Sequence, residues 1–359
     1  MKFLNRDSCY YYISKVNRSS KPKIYCFDLD STLIKTKSGA KFPKDANDWV
    51  FMYPRTKEIL TKLNKDYHLV IMSNQKGFKT QNQINEFNKK INDIFNDLGF
   101  EMSIFIATED DIYRKPHTGM YKLLLELLKE NDDNIDDLYY CGDAAGRLYK
   151  DGSKDFSISD YYFAFNIDAI FELPENVFKQ ETKGKIIDTY DTFNLKKFIT
   201  KEKLDIKQVE KEVVLLVGLP ACGKSTIVNK YYSKYKQVSL DITRNKKKMM
   251  ELYNEYILHG YQIVVDNTNY NKSQRKEFIE VAKKKGYKIK IIYIDIPFEI
   301  CNHFNNYRVE KGEKDKISII TYRTMLKNFE EPTYQEGEIV RLNKIYDFND
   351  KNIYNYKFS

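Results

Sequence analysis

Two sets of residues in this chain of 359 have the types and spacing that phosphoryl chemistry needs. The first begins with Asp28-Leu29-Asp30-Ser31-Thr32, directly after an apolar run. If that run is a strand, its alternation puts the Asp28 and Asp30 carboxylates on one side, with the Thr32 hydroxyl beside them. One carboxylate can attack phosphorus while the other protonates the leaving oxygen, and a divalent ion damps their repulsion. Helix caps also collect Asp, Ser and Thr, so the motif alone does not decide. The ends of three later runs add what is missing. Ser73 and Asn74 offer a hydroxyl and an amide to a phosphate, and Lys115 offers a cation to a phosphoryl intermediate. Asp143, after Gly142, adds a third carboxylate for a hard cation such as Mg²⁺.

The second set is Gly218-Leu219-Pro220-Ala221-Cys222-Gly223-Lys224-Ser225-Thr226, a complete GxxxxGK(S/T) after the run 213–217. Gly218 and Gly223 let the backbone wrap close to nucleotide phosphates with its N–H groups inward. Lys224 would reach the β and γ oxygens and Ser225, with Thr226 beside it, would hold Mg²⁺ at the positive end of the following helix. ATP is the expected donor. On the acceptor side, the run 238–240 is expected to end as a strand at Asp241, which could take a proton from a hydroxyl. Arg244 could hold an adjacent phosphate. Asp266 ends the run 263–265 and could support the Mg²⁺ water shell. Arg308 leads into the charged stretch VEKGEKDK, placed like a lid whose arginine could touch the transferring group.

These residues need rigid carriers. Short apolar runs at 23–27, 69–72, 104–107 and 138–141, and again at 213–217, 238–240, 263–265 and 289–294, alternate with amphipathic stretches. That is the pattern of βαβ units and parallel sheets, which place ligands at the carboxyl ends of their strands. Charges crowd and apolar runs weaken between about 176 and 211. We therefore expect a lead-in at 1–20, a first domain at 21–190, a junction at 191–210 and a second domain at 211–359. Net charge is +9. Residues 1–200 hold equal numbers of acidic and basic side chains, whereas residues 201–359 hold 30 basic against 21 acidic, so the whole excess lies there. A basic half suggests a polyanionic partner; a Lys-rich solvated surface is the plainer alternative. The five cysteines are dispersed and fit a reducing compartment. No run is long enough to span a membrane, and the polar N-terminus is not that of a secretory signal.

Together the two sets resemble one family, the polynucleotide kinase 3′-phosphatases that repair nucleic-acid ends; the first set alone is similar to the haloacid-dehalogenase phosphohydrolases. The resemblance covers about residues 20–345. It rests on DLDSTLI, Ser38-Gly39 with Phe42-Pro43, Asp48-Trp49, SNQKG, YRKPHTGM, CGDAAGR and DFSISDYYFAFN in the first half, and on GLPACGKST, VSLD, VVDNTN and FEEPT in the second. It implies an α/β architecture: a haloacid-dehalogenase-like Rossmannoid phosphatase domain followed by a P-loop kinase domain with a parallel sheet.

The resemblance also implies roles. Asp28 would be the nucleophile, Asp30 the general acid/base, Ser73 and Lys115 phosphoryl-binding residues, and Asp143 a Mg²⁺ ligand with Asp28 and Asp30. Asp160 would be a supporting acid. In the kinase, Lys224 and Ser225 would serve ATP and Mg²⁺, Asp241 would be the base, Arg244 would hold the acceptor strand and Arg308 would act from the lid. Implied partners are DNA ends, with RNA as the alternative, ATP, and a ligase with other end-repair proteins. The expectation is a monomer, intracellular and nuclear, with cytoplasm or a viral replication site as the alternative.

Three departures stand out. Only about twenty residues precede the first strand, so the forkhead-associated domain of the animal enzyme is not expected. Ser31 stands where the family usually has Gly, and SLDI replaces NRDT around Asp241. A kinase–phosphatase acting on small phosphorylated metabolites is the competing function, and salt-sensitive oligonucleotide binding separates the two.

Overall fold

Along the strand Lys23–Phe27, Tyr25 and Phe27 face one apolar cluster, and Ile24 and Cys26 face another. The same split recurs at Leu69 and Ile71 against Val70 and Met72, and at Ile104 and Ile106 against Phe105. A period of two with both sides apolar is a sheet buried on both faces, as parallel sheets are. The structure, a computed structural model, describes residues 1–15, 22–78, 80–178, 184–187, 195–313 and 316–358. It falls into two compact units: Met1–Tyr190 with Arg308–Asp315 and Tyr354–Ser359, and Asp191–Tyr307 with Lys316–Ile353.

The first unit holds a seven-stranded sheet in the order Leu4–Arg6, Cys9–Tyr12, Ser103–Ala107, His68–Asn74, Lys23–Phe27, Asp137–Cys141, Ile170–Glu172. The last five strands are mutually parallel; the first two add an antiparallel edge. The helix Gln81–Leu98 starts at a capping box between Thr80 and Gln83 and stops at a left-handed Gly99, and it lays Phe87, Ile91, Ile94 and Leu98 on one face of the sheet. Helices Gly119–Leu128 and Ser159–Asn166 cover the other with Met120, Leu123, Leu124 and Phe163. Lys23–Phe27 is therefore central, and its carboxyl end opens between flanking strand ends.

The second unit holds five parallel strands in the order Lys236–Val238, Ile263–Val265, Glu212–Val217, Lys288–Ile294, Glu338–Leu342. Every residue of Glu212–Val217 is buried, which explains its unbroken apolar run. Helices Lys246–Leu258 and Lys272–Lys284 pack Tyr253, Phe278 and Ile279 on one face.

The division of the chain differs from the expected one in two places. The expected lead-in contains two strands, because Cys9–Tyr12 supplies the hydrogen bonds that the edge of Ser103–Ala107 would otherwise lack. Gly184–Ile186 pairs with Arg147–Tyr149, and the expected boundary at 190/191 lies outside the described residues. Finally, Arg308–Asp315 and Tyr354–Ser359 group with the first unit and not with the rest of 211–359. Among the described residues, no helix is long and apolar enough to cross a membrane.

Candidate active sites

The first site is assembled by strand ends. Asp28 follows Phe27 and its N–H donates to Cys141 O, which ties the loop to the neighbouring strand. The loop turns at Ser31, whose φ of 62° is the left-handed conformation that glycine adopts without strain. Thr32 is fully buried; its hydroxyl donates to Asp143 Oδ1 at 3.2 Å and accepts the Asp143 N–H at 3.1 Å. Lys115 is buried, and its ammonium donates to Asp28 Oδ1 at 2.6 Å, Asp160 Oδ1 at 2.7 Å and the Tyr140 hydroxyl at 2.8 Å. Asp160 Oδ2 accepts the Ala144 N–H at 3.0 Å. Only glycine fits at 142, since a Cβ there would meet that same oxygen at 2.4 Å.

Carboxylate oxygens of Asp28, Asp143 and Asp160 lie within 4.8 Å of one another. Three carboxylates beside one ammonium leave negative charge in excess. Burial, and then the Asp160 and Asp143 charges, push the Asp28 carboxyl well up although Lys115 opposes this. Burial and Asp160 likewise lift Asp143 to about 7. Burial works against the Lys115 charge, but Asp160 and Asp28 overcome it and raise its pKa. An all-oxygen, anionic donor set of this kind fits a hard divalent cation such as Mg²⁺.

The grouping differs from the expected ligand set. Asp160, expected as a supporting acid, stands inside it. Asp30 stands outside, exposed, where its Oδ2 accepts from Gln75 Nε2 at 2.6 Å. The physical reason is that the strand ends at Phe27, so alternation does not continue through the turn to Asp30. Gln75 also donates to Ser73 Oγ at 3.0 Å, so one amide orders both residues; sequence reasoning missed it. Asn74 is also placed differently. Its amide is engaged with the Lys115 backbone, accepting the N–H at 2.9 Å and donating to the carbonyl at 3.2 Å, so it holds the lysine's segment.

In the second unit, Gly223 takes φ 100° and caps the helix Lys224–Tyr231, the turn that aims the loop's N–H groups inward. Lys224 Nζ donates to Leu219 O at 2.6 Å and Gly218 O at 3.1 Å, which keeps the ammonium inside the loop. Ser225 and Thr226 are exposed at the helix start. Asp266 is buried, with its N–H on Val238 O and its Oδ2 accepting from Gln237. Asp241 is not at a strand end. The strand stops at Val238, and Ser239 Oγ accepts the Asp241 N–H, capping a one-turn helix Leu240–Thr243 that ends in a left-handed Arg244. Arg308 groups with the first unit, whereas the loop Gly218–Thr226 belongs to the second; Lys314 and Asp315 of its stretch lie outside the described residues.

A family profile described as "Polynucleotide kinase 3 phosphatase" matches residues 23–178, and one described as "AAA domain" matches residues 241–332. A bifunctional polynucleotide phosphatase/kinase of Schizosaccharomyces pombe is 33% identical over 336 residues, covering 91% of this chain and 80% of its own length. The chain belongs to the bifunctional polynucleotide phosphatase/kinase family. A protein of Acanthamoeba polyphaga mimivirus with the same family description is 27% identical, covering 89% of this chain and 85% of its own length. A polynucleotide 3′-phosphatase of Saccharomyces cerevisiae is 30% identical, covering 43% of this chain and 87% of its own length.

The first unit is thus the phosphatase unit and the second, which carries the phosphate loop, the kinase unit. Two further features of these family units escaped sequence reasoning. In the phosphatase unit, Phe42 and Phe156 are 72% and 97% exposed, and Lys41 Nζ lies 5.7 Å from both ring centroids. Phe156 follows Asp155, which accepts the Ala145 N–H two residues after Asp143. In the kinase unit, the helix Ile319–Lys327 is tied to the phosphate loop by the Tyr322 hydroxyl, which donates to Pro220 O at 3.1 Å; the next residue, Arg323, is exposed.

Proposed function

We propose that the phosphatase unit removes 3′-phosphates from DNA ends and that the kinase unit phosphorylates 5′-hydroxyl ends with ATP, leaving ends that a ligase can join. The carrying observation for the first reaction is Lys115 Nζ within 2.7 Å of both Asp28 and Asp160, beside Asp143. Asp28 is the group placed to attack phosphorus, with Lys115 against it to take charge from the phosphoryl oxygens. Asp30, exposed and oriented by Gln75, gives a proton to the leaving 3′ oxygen. Ser73 lies on the same amide and contributes a hydroxyl to the phosphoryl group. Asp28 and Asp143, with Asp160 behind them, would hold Mg²⁺, which when bound offsets the charge that otherwise drives these carboxyls toward protonation.

For the kinase, Lys224 and the loop N–H groups hold the nucleotide phosphates, Ser225 with Asp266 would hold Mg²⁺, and Asp241 takes the proton of the acceptor hydroxyl. Arg244 follows Asp241 on the same turn and suits a strand phosphate. Arg323, on the helix anchored to the loop through Tyr322, joins Arg308 as a candidate arginine for the transferring group.

What favours a polynucleotide over a small metabolite is the exposed pair Phe42 and Phe156 with Lys41 between them. Unstacked bases stack on such rings while the cation meets the backbone, whereas a small phosphorylated metabolite has no use for either. The test offers 3′-phosphate/5′-hydroxyl DNA and RNA oligonucleotides together with small phosphate monoesters. Asp28→Asn should abolish 3′-phosphate release and leave 5′ phosphorylation intact, and Lys224→Ala should do the reverse. If small monoesters turn over as fast as oligonucleotides, or if either substitution removes both activities from a folded protein, the reading fails.

A further inference from the structure

The residues that hold Lys115 come from three distant parts of the chain. Asn74 fixes the lysine's own N–H and C=O. Asn166, at the end of the helix Ser159–Asn166, donates from Nδ2 to Pro116 O at 2.9 Å. The same amide group donates to Lys357 O at 2.9 Å, and its Oδ1 accepts the Lys357 N–H at 2.7 Å, so Tyr354–Phe358 is stitched to the lysine's segment through one side chain. Lys357 Nζ also lies 4.4 Å from the Phe165 ring centroid. One residue further on, Phe358 packs on the fully buried His117 ring, with centroids 5.0 Å apart.

The third part is Glu310, the last residue of the helix Phe298–Glu310. Its carboxylate is 2% exposed and accepts from His117 Nδ1 at 3.2 Å, the Thr118 N–H at 3.1 Å, the Thr118 hydroxyl, and Lys122 Nζ at 2.7 Å. Thr118 precedes the helix Gly119–Leu128, whose first-turn N–H groups suit a buried anion. Residues 115–118 are therefore held at every position by side chains remote in sequence.

We propose that Glu310, Asn166 and Phe358 are positioning residues for the phosphatase: they fix the segment Lys115–Thr118 so that the ammonium meets the phosphoryl group held at Asp28. The inference rests on the phosphatase reading above. The ammonium has to sit between two carboxylates at hydrogen-bond length, and a drift of an ångström at such a group is felt in the rate far more than in binding. The ammonium itself is held by Asp28, Asp160 and Tyr140, so Glu310 and Phe358 act on it through this segment.

The experiment compares Glu310→Gln, Asn166→Ala and Phe358→Ala in the full chain, with kcat and KM for 3′-phosphate release from a DNA oligonucleotide. The rate of 5′ phosphorylation and the thermal melting profile are measured on the same preparations. The expected result is a fall in phosphatase kcat of about 10-fold or more with KM within about 2-fold, at unchanged kinase rate, with each variant still melting cooperatively above the assay temperature. On a Lys115→Arg background, where the ammonium's placement is already lost, Glu310→Gln should cost less than about 2-fold. Unchanged phosphatase kcat in a folded protein overturns the proposal. So does a Glu310→Gln loss that is as large with Lys115→Arg as without it, since a merely structural role predicts that. An unmodified chain that releases no 3′-phosphate would overturn the underlying phosphatase reading, a result distinct from either.

Discussion

At the scale of single residues, the phosphatase site depends on close approaches that leave no room for a side-chain atom. Gly142→Ala would place a methyl 2.4 Å from Asp160 Oδ2 and so displace the carboxylate that shares the Lys115 ammonium with Asp28. We expect 3′-phosphate release to fall by about 100-fold or more while 5′ phosphorylation is unchanged; parallel assays on one preparation check this. Glu310 has a pH signature. Burial would push its carboxyl up, but hydrogen bonds from His117, Lys122 and Thr118 and the Lys122 charge hold it at about 2, with Tyr356 also facing it. Its folded value lies below its unfolded one. The stabilisation is therefore complete above about pH 4.5 and is lost as pH falls toward 2. The destabilisation caused by Glu310→Gln should shrink by about 2 kcal/mol between pH 6 and pH 3, read from urea midpoints. Asp28 and Asp143 were legible because each lies just past an apolar run, and Lys115 because of the motif YRKPHTGM around it. Gln75, Asn166 and Glu310 were not, since their partners lie 45, 191 and 193 residues away.

At the scale of elements, the inner parallel strands announced themselves by β-branched runs ending in polar turns, whereas the edge strands Ile170–Glu172 and Glu338–Leu342 had no such run. The short or edge pieces were harder. Leu4–Arg6 and Cys9–Tyr12 are too short and too mixed in polarity to stand out, and only pairing to Ser103–Ala107 makes them strands. At 238–241 the apolar Leu240 extended the apparent strand, yet Ser239 caps a helix there and Leu240 is 46% exposed. The expected lid also shows that charge alone does not say which unit a helix end joins, since Arg308–Asp315 groups with the first unit. The helix Ile319–Lys327, tied through Tyr322 to Pro220, is a second carrier. Arg323→Ala should therefore lower 5′ phosphorylation by at least about 10-fold, leaving 3′-phosphate release intact. A larger loss for Arg308→Ala than for Arg323→Ala would restore the lid to its expected place.

At the scale of the whole molecule, the two units differ in charge and so should differ in their response to ions. All of the +9 lies in residues 201–359, the part that contains the phosphate loop and the acceptor side. Phosphatase substrates need only present a terminus, whereas the kinase must accommodate both nucleotide and strand phosphates. Raising salt from low to moderate concentration should thus depress kcat/KM for 5′ phosphorylation more steeply than for 3′-phosphate release. Equal slopes would reduce the charge imbalance to a Lys-rich surface. The grouping of Arg308–Asp315 and Tyr354–Ser359 with the first unit also has a consequence for modularity. Sequence order and spatial membership disagree, so the enzyme is not two beads that a single cut between them would free. A fragment ending near the junction would contain Asp28, Asp30, Lys115, Asp143 and Asp160, yet it would lack two segments that group with its own unit. If Glu310 and Phe358 position Lys115 as proposed, a recombinant half, or a lineage that discards the kinase, has to reinvent those contacts before its lysine sits where the chemistry needs it.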